Sequence, residues 1–130
     1  MEVFPLVLFA HWLGDFAFQS KWMATNKKLK CVEGQDKDSN IRGRLACAAH
    51  SYVYGLCFGV VVMFMYFTPI QILTVVLFTA LTHYPVDRSD FFIKRFEAVP
   101  NWMPPLYICF DNGIHVFLNY FFIKLLMNVG

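Results

Sequence analysis

The chain has 130 residues, 58% of them hydrophobic and 18% aromatic, with only 15% charged. That length suits one domain, and a soluble domain carries nearer one quarter charged residues, so the composition points to an integral membrane protein. The formal net charge of +2 is too small to argue for a nucleic-acid partner.

Four apolar segments reach the roughly 20 residues needed to cross a bilayer, and they predict an all-α, four-helix integral membrane bundle over residues 1–130. The first runs over about 3–23. Met1 and Glu2 lead straight into it without a basic leader region, so it reads as a retained helix and not as a cleaved signal. Within it stand His11-x-x-x-Asp15-x-x-x-Gln19 and Gly14, the glycine allowing a neighbour to approach beside Asp15. A polar stretch over about 24–44 follows, including Lys27-Lys28-Leu29-Lys30 and the run Glu33 to Asn40, which reads as a flexible loop. The second segment, about 45–67, carries His50 and the small-residue pair Gly55-x-x-x-Gly59, a mark of close helix contact within the chain or between copies of it. Homo-oligomers through the Gly55/Gly59 face are one expectation.

Thr68-Pro69 makes a tight turn into the third segment, about 69–87, which ends on His83-x-x-x-Asp87. Pro85 lies inside that pair. A proline ends or kinks a helix, so Asp87 is the member least secured by its spacing. In the second polar connection, about 88–105, Phe91, Phe92, Ile93 and Phe96 sit among Arg88, Lys94 and Arg95. That pattern fits a short amphipathic helix in the headgroup layer. The fourth segment, about 106–127, carries Asp111-x-x-x-His115. Cys31, Cys47, Cys57 and Cys109 form no C-x-x-C pair and read as small buried hydrophobes, not as a disulfide framework or a thiolate metal site.

Charge gives an orientation. Of the 11 Lys and Arg, seven lie between Lys21 and Arg44 and three between Arg88 and Arg95. The positive-inside rule places both long loops in the cytoplasm and both termini outside an inner membrane. Trp22 and Trp102 fall where an interfacial aromatic belt is expected. On that topology the polar residues of all four segments share the cytoplasmic half, with His11 deepest.

Three of the four histidines have an aspartate four residues away, a spacing that puts both side chains on one helix face. Ionisable groups in such apolar segments are costly and mark function by default. Imidazole and carboxylate are ligands for zinc first, or for iron or manganese, and helical bundles build one- and two-ion sites from inward carboxylates and histidines. The expected ligand set is His11, Asp15, His50, His83, Asp87, Asp111 and His115, for one or two divalent ions. Asp15, Asp111 and Gln19 are the candidate catalytic residues.

The run His11-Trp12-Leu13-Gly14-Asp15-Phe16-Ala17-Phe18-Gln19 resembles the H-x-x-G-D-F-x-x-Q signature of the small bacterial and phage membrane proteins of domain-of-unknown-function family 3307. His50, His83-x-x-x-Asp87 and Asp111-x-x-x-His115 continue the resemblance in order over nearly the whole chain. It implies the fold and the site and carries no activity.

These features lead to one functional expectation: a membrane-embedded, metal-dependent hydrolase with its site near the cytoplasmic face. A metal-activated water would attack a lipid or other amphipathic ester, amide or phosphoester, with an aspartate as general base. Two alternatives stand beside it. One is a proton or metal-ion pathway, since His/Asp chains also serve relays. The other is a non-enzymatic interaction protein in which a structural metal or the polar cluster staples the helices together.

Overall fold

The computed structural model of the chain describes residues 2–27, 37–88 and 105–129. Among the described residues there are helices and connections and no strand. In order they are α1 (Val3–Trp12), a π-helical turn (Leu13–Ala17), α2 (Lys21–Asn26), α3 (Lys37–Met63), α4 (Pro69–Arg88) and α5 (Pro105–Val129). The predicted headgroup helix over 88–97 lies outside the described residues from 89 on, as do Trp102 and Cys31.

The first predicted segment is not one helix. The Phe18 amide bonds to the Leu13 carbonyl five residues back (2.8 Å), which widens the helix around Gly14 into a π turn. Phe18 to Ser20 then leave the helix. Ser20 restarts it as the N-cap of α2, its hydroxyl accepting from the Met23 amide (3.2 Å).

The second helix starts earlier than predicted, at Lys37, so the polar run read as loop is helical from there on. Tertiary contact supplies what its polar composition lacks: α2 packs on α3, and Arg88 Nη2 donates to Asn40 Oδ1 (2.8 Å). The helix also ends earlier, at Met63. Phe64 and Met65 close it with tight bonds to the Val61 and Val62 carbonyls (3.2 and 3.0 Å), and Tyr66 takes a left-handed φ of 61°, the conformation that stops a helix. Thr68-Pro69-Ile70-Gln71 starts α4 as a capping box. The Thr68 amide donates to Gln71 Oε1 (2.9 Å) and the Gln71 amide to Thr68 Oγ1 (3.4 Å), with Pro69 at the first helical position.

Four helices form a ring. α1 touches α3 and α5, and α4 touches the same two, the α3–α4 contact being the most extensive. The glycines of α3 explain that contact. A Cβ on Gly55 would stand 2.6 Å from the Val76 carbonyl oxygen, and one on Gly59 would stand 2.5 Å from Val76 Cγ2. The Gly55/Gly59 stripe is therefore occupied by α4 of the same chain, which removes it as a surface for a second copy.

Inside the ring the two ends differ. One holds a dry core that includes Val3, Val7, Phe58, Val61, Val62, Met65, Val75 and Ile123. The other buries His11, His50, Ser51, His83, Asp87 and His115, with Thr79 and Asn119 one helical turn from His83 and His115. The outside is apolar: Leu8, Phe9, Leu56, Val60, Leu73, Leu77, Phe121 and Leu125 are all exposed. Two helices, α3 and α4, are long and apolar enough to cross a membrane. Apolar helices buried in a soluble core meet the same criterion, but only 17% of the apolar stretch of α4 is buried within the chain.

Candidate metal centre

Asp15 comes from the π turn, His50 from α3, His83 and Asp87 from α4, and His115 from α5. The added residue of the π turn changes the phase of the chain between His11 and Gln19. Gly14 makes room at the same place, because a Cβ there would stand 2.5 Å from Tyr54 Cδ2. Pro85 does not divert Asp87. α4 continues through it to Arg88, and Asp87 Oδ2 lies 3.5 Å from His83 Nε2.

Two groups of donor atoms result, Asp15–His50–His83 and His83–Asp87–His115. His50 Nε2 lies 3.0 Å from His83 Nε2 and 3.1 Å from Asp15 Oδ1. His83 Nε2 is 3.6 Å from Asp15 Oδ1, and Asp87 Oδ2 is 3.5 Å from His50 Nε2. On the other side Asp87 Oδ1 faces His115 Nε2 at 3.4 Å. Two donors on a tetrahedral zinc with bonds of 2.0–2.1 Å stand about 3.3 Å apart, so these groups could hold a metal ion. Asp15 Oδ1 and His115 Nε2 are buried and make no hydrogen bond; their near neighbours are other members of the cluster, His50 Nε2 and Asp87 Oδ1. The donor set is nitrogen and oxygen only, which suits zinc, iron or manganese. The nearby Cys47 thiol is turned to the Tyr84 carbonyl (3.7 Å) instead.

The cluster also gathers charge of both signs. Asp15 and Asp87 bring carboxylates, Lys27 Nζ donates to Asp87 Oδ2 at 2.6 Å, and the Arg88 guanidinium lies beside the Lys27 carbonyl. Buried charges of this kind are kept only where they are paired or hold a metal.

His11 and Asp111 stand outside this arrangement. His11 Nδ1 shares a hydrogen bond with the Tyr54 hydroxyl (2.6 Å) and lies 3.4 Å from Asp15 Oδ2. Its Nε2 is buried without a partner. Asp111 Oδ1 is 3.9 Å from His115 Nε2, with its side chain 27% exposed, at the rim. Gln19 sits over the cluster. With its amide nitrogen donating to the Asp15 carbonyl (3.3 Å), its oxygen accepts from Lys27 Nζ (2.9 Å) and meets His50 Nε2 at 3.3 Å.

The family model described as "Protein of unknown function (DUF3307)" matches residues 3–127. The chain belongs to this family. Neither the curated proteins nor the solved structures contain a match to the chain.

Four residues of this DUF3307 chain take part without having been singled out as site residues by sequence. Tyr54 is fully buried, stacks on His83 (ring centroids 3.8 Å apart, planes at 21°) and holds His11. A signal existed: Tyr54 is four residues after His50, the same spacing that marks the three His/Asp pairs. Asn119 likewise follows His115 by four and donates to its carbonyl (2.8 Å), while Thr79 donates to Asn119 Oδ1 (2.6 Å). Lys27 carried no signal, because it is one of a run of basic residues read as loop. Arg88 Nη1 donates to its carbonyl (3.1 Å) and holds it over the cluster.

Proposed function

We propose that this chain is an integral membrane four-helix bundle that holds one divalent metal ion, zinc ahead of iron or manganese, and uses it to hydrolyse a lipid or other amphipathic ester, amide or phosphoester. The observation that carries the reading is the convergence of Asp15, His50, His83, Asp87 and His115 from four parts of the chain, with their donor atoms within reach of one another. The membrane setting is supported by the reversed distribution of polarity, with apolar side chains outward and ionisable groups inward. Lys27, Asn40, Asp87 and Arg88 meet at one end of the bundle. Basic residues gathered there agree with a cytoplasmic placement of both long loops and external termini.

A single ion follows from His83. Its Nε2 faces both Asp15 Oδ1 and Asp87 Oδ2, and one nitrogen lone pair serves one ion. When bound, a divalent metal supplies a Lewis acid and lowers the pKa of water. The chain's own groups do the rest. Asp15 and Asp87 fix the negative charge of the site, and Gln19, accepting from Lys27 Nζ, fixes the orientation of Lys27. Asp111, half-buried at the rim and facing His115, is placed to accept a proton from an incoming nucleophile. Lys27 offers an ammonium to an anionic substrate group. A conducting pathway is less well served, because beyond Thr79 and Asn119 the ring is filled by Phe58, Val62, Val75 and Ile123, all buried and apolar.

The test is metal analysis of the purified protein, followed by turnover of lipid esters and phosphoesters. The reading expects about one equivalent of zinc, iron or manganese, lost in His83→Ala and His115→Ala together with hydrolysis. Wild-type protein without metal, or alanine variants that keep both metal and turnover, would sink it.

A further inference from the structure

His11, expected among the ligands, faces elsewhere as well. A groove of about 510 Å³ runs along the outside of the ring between α1 and α5, within the ~300–1,000 Å³ range of small-ligand clefts. Leu8, Trp12 and Phe16 line one wall, and Gly113 and Phe117 the other. Phe4 extends it toward the dry end, so the groove follows α1 for roughly 18 Å at 1.5 Å per residue. It is long, apolar and bounded by side chains that are themselves exposed.

Two features mark it as more than surface relief. His11 lines it, is 6% exposed, and has a buried Nε2 with no hydrogen-bond partner. A buried imidazole nitrogen left unpaired is costly, and a ligand in the groove would satisfy it. Asn112 is the polar side chain within hydrogen-bonding reach of the His11 ring, at a geometry too poor to pair with Nε2, and it lines the same groove. Second, Gly113 leaves the wall open: a Cβ there would meet nothing within 4 Å. Glycine in mid-helix costs about 0.5–1 kcal/mol relative to alanine, and packing against a neighbouring helix does not account for it here. His11 also reaches the metal centre through Asp15 Oδ2 (3.4 Å) and Tyr54. It is the residue common to the groove and the cluster.

We infer that this groove takes an acyl chain of a membrane lipid, with the lipid's first polar group at His11 Nε2 and Asn112. The inference rests on the membrane hydrolase reading and supplies its substrate path, which is lateral and lies between α1 and α5. An acyl chain fits the length and apolarity of the trough, and the single polar station places the chain's carbonyl end nearest Asp15. His11 is then a positioning residue for substrate and not a metal ligand.

Photolabelling tests this. The protein is reconstituted in phosphatidylcholine vesicles containing phosphatidylcholine with a diazirine on its acyl chain, irradiated, and the adducts mapped. Adducts should be enriched several-fold at Leu8, Trp12 and Phe117 over Leu73, Leu77 and Leu81 of α4, which are 56%, 50% and 71% exposed and report ordinary lipid contact. Gly113→Leu should abolish the enrichment while metal content stays at the wild-type level. Gly113→Ala, which adds one methyl group to open space, should fold and keep most of it. Equal labelling of the two faces, or enrichment that survives Gly113→Leu, would overturn the inference. So would a groove protected from label by a second copy or another protein helix. Failure of the metal reading is seen separately, as absence of metal in the wild-type protein.

Discussion

The two ends of the ring are built from the same four helices and hold together in opposite ways. At the dry end Val3, Phe58, Val62, Val75 and Ile123 fill the interior; their chemistry is interchangeable and their shapes matter. At the polar end five ionisable side chains converge and their chemistry is specific. Packing alone does not call for this arrangement, since burying ionisable groups is costly where leucines would stabilise the same helices. The difference separates a scaffold from a site within one small chain.

That contrast can be broken from either end. The largest effect is expected for Asp87→Asn, which leaves the half-buried Lys27 without its counter-charge. Breaking a buried pair costs about 3–5 kcal/mol, so thermal unfolding in detergent should fall steeply and metal should be lost. The double variant Asp87→Asn/Lys27→Met should regain much of the stability and none of the metal, which separates ion pairing from ligation. Phe58→Ala at the dry end should also cost about 3–5 kcal/mol, yet leave metal stoichiometry at its wild-type value in whatever fraction stays folded. If it empties the site, the two ends are not independent.

Chelation should lower the melting temperature of the wild-type protein and leave that of His83→Ala unchanged, because a ligand stabilises only the state that binds it. Equal loss in both would place the metal elsewhere. A smaller effect is expected for Tyr54→Phe, which removes one buried hydrogen bond to His11 at a cost of about 1 kcal/mol. Metal should be retained and lipid turnover reduced, since His11 loses its orientation. Smallest is Thr79→Val. Interhelical hydrogen bonds in membrane helices average about 0.6 kcal/mol, and neither metal nor turnover should change.

The candidate site was unevenly legible. Asp15, His83 and His115 were visible because i,i+4 spacing and apolar surroundings are local properties that survive folding; His50, with no aspartate four residues away, was visible only as an imidazole at matching depth in an apolar segment. Asp87 was placed in doubt by Pro85, but a proline near the C-terminal end of a helix displaces few hydrogen bonds, and α4 carries on to Arg88. His11 was grouped with the ligands because it pairs with Asp15 in sequence; Tyr54 engages its Nδ1 instead. Gly55 and Gly59 signalled a close contact correctly, but a small-residue stripe does not say whether the partner is the next helix or another copy. The polar residues from Lys37 on looked like loop because helix formation there depends on α2 and Arg88, which are distant in sequence or across a break.

By itself the sequence determined the all-helical class, through apolar runs too long and too continuous for strands. It also determined the chemistry available, through imidazoles and carboxylates in segments that otherwise exclude charge. Tertiary structure decided which of these groups meet. Spacing fixes which face of one helix a side chain occupies, whereas the rotation of each helix against its neighbours is set by contacts such as Gly55 on Val76 and Gly14 on Tyr54. Those contacts bring Asp15 and Asp87 to either side of the His50–His83 pair, draw Lys27 onto Asp87, and turn His11 between the cluster and the outer groove.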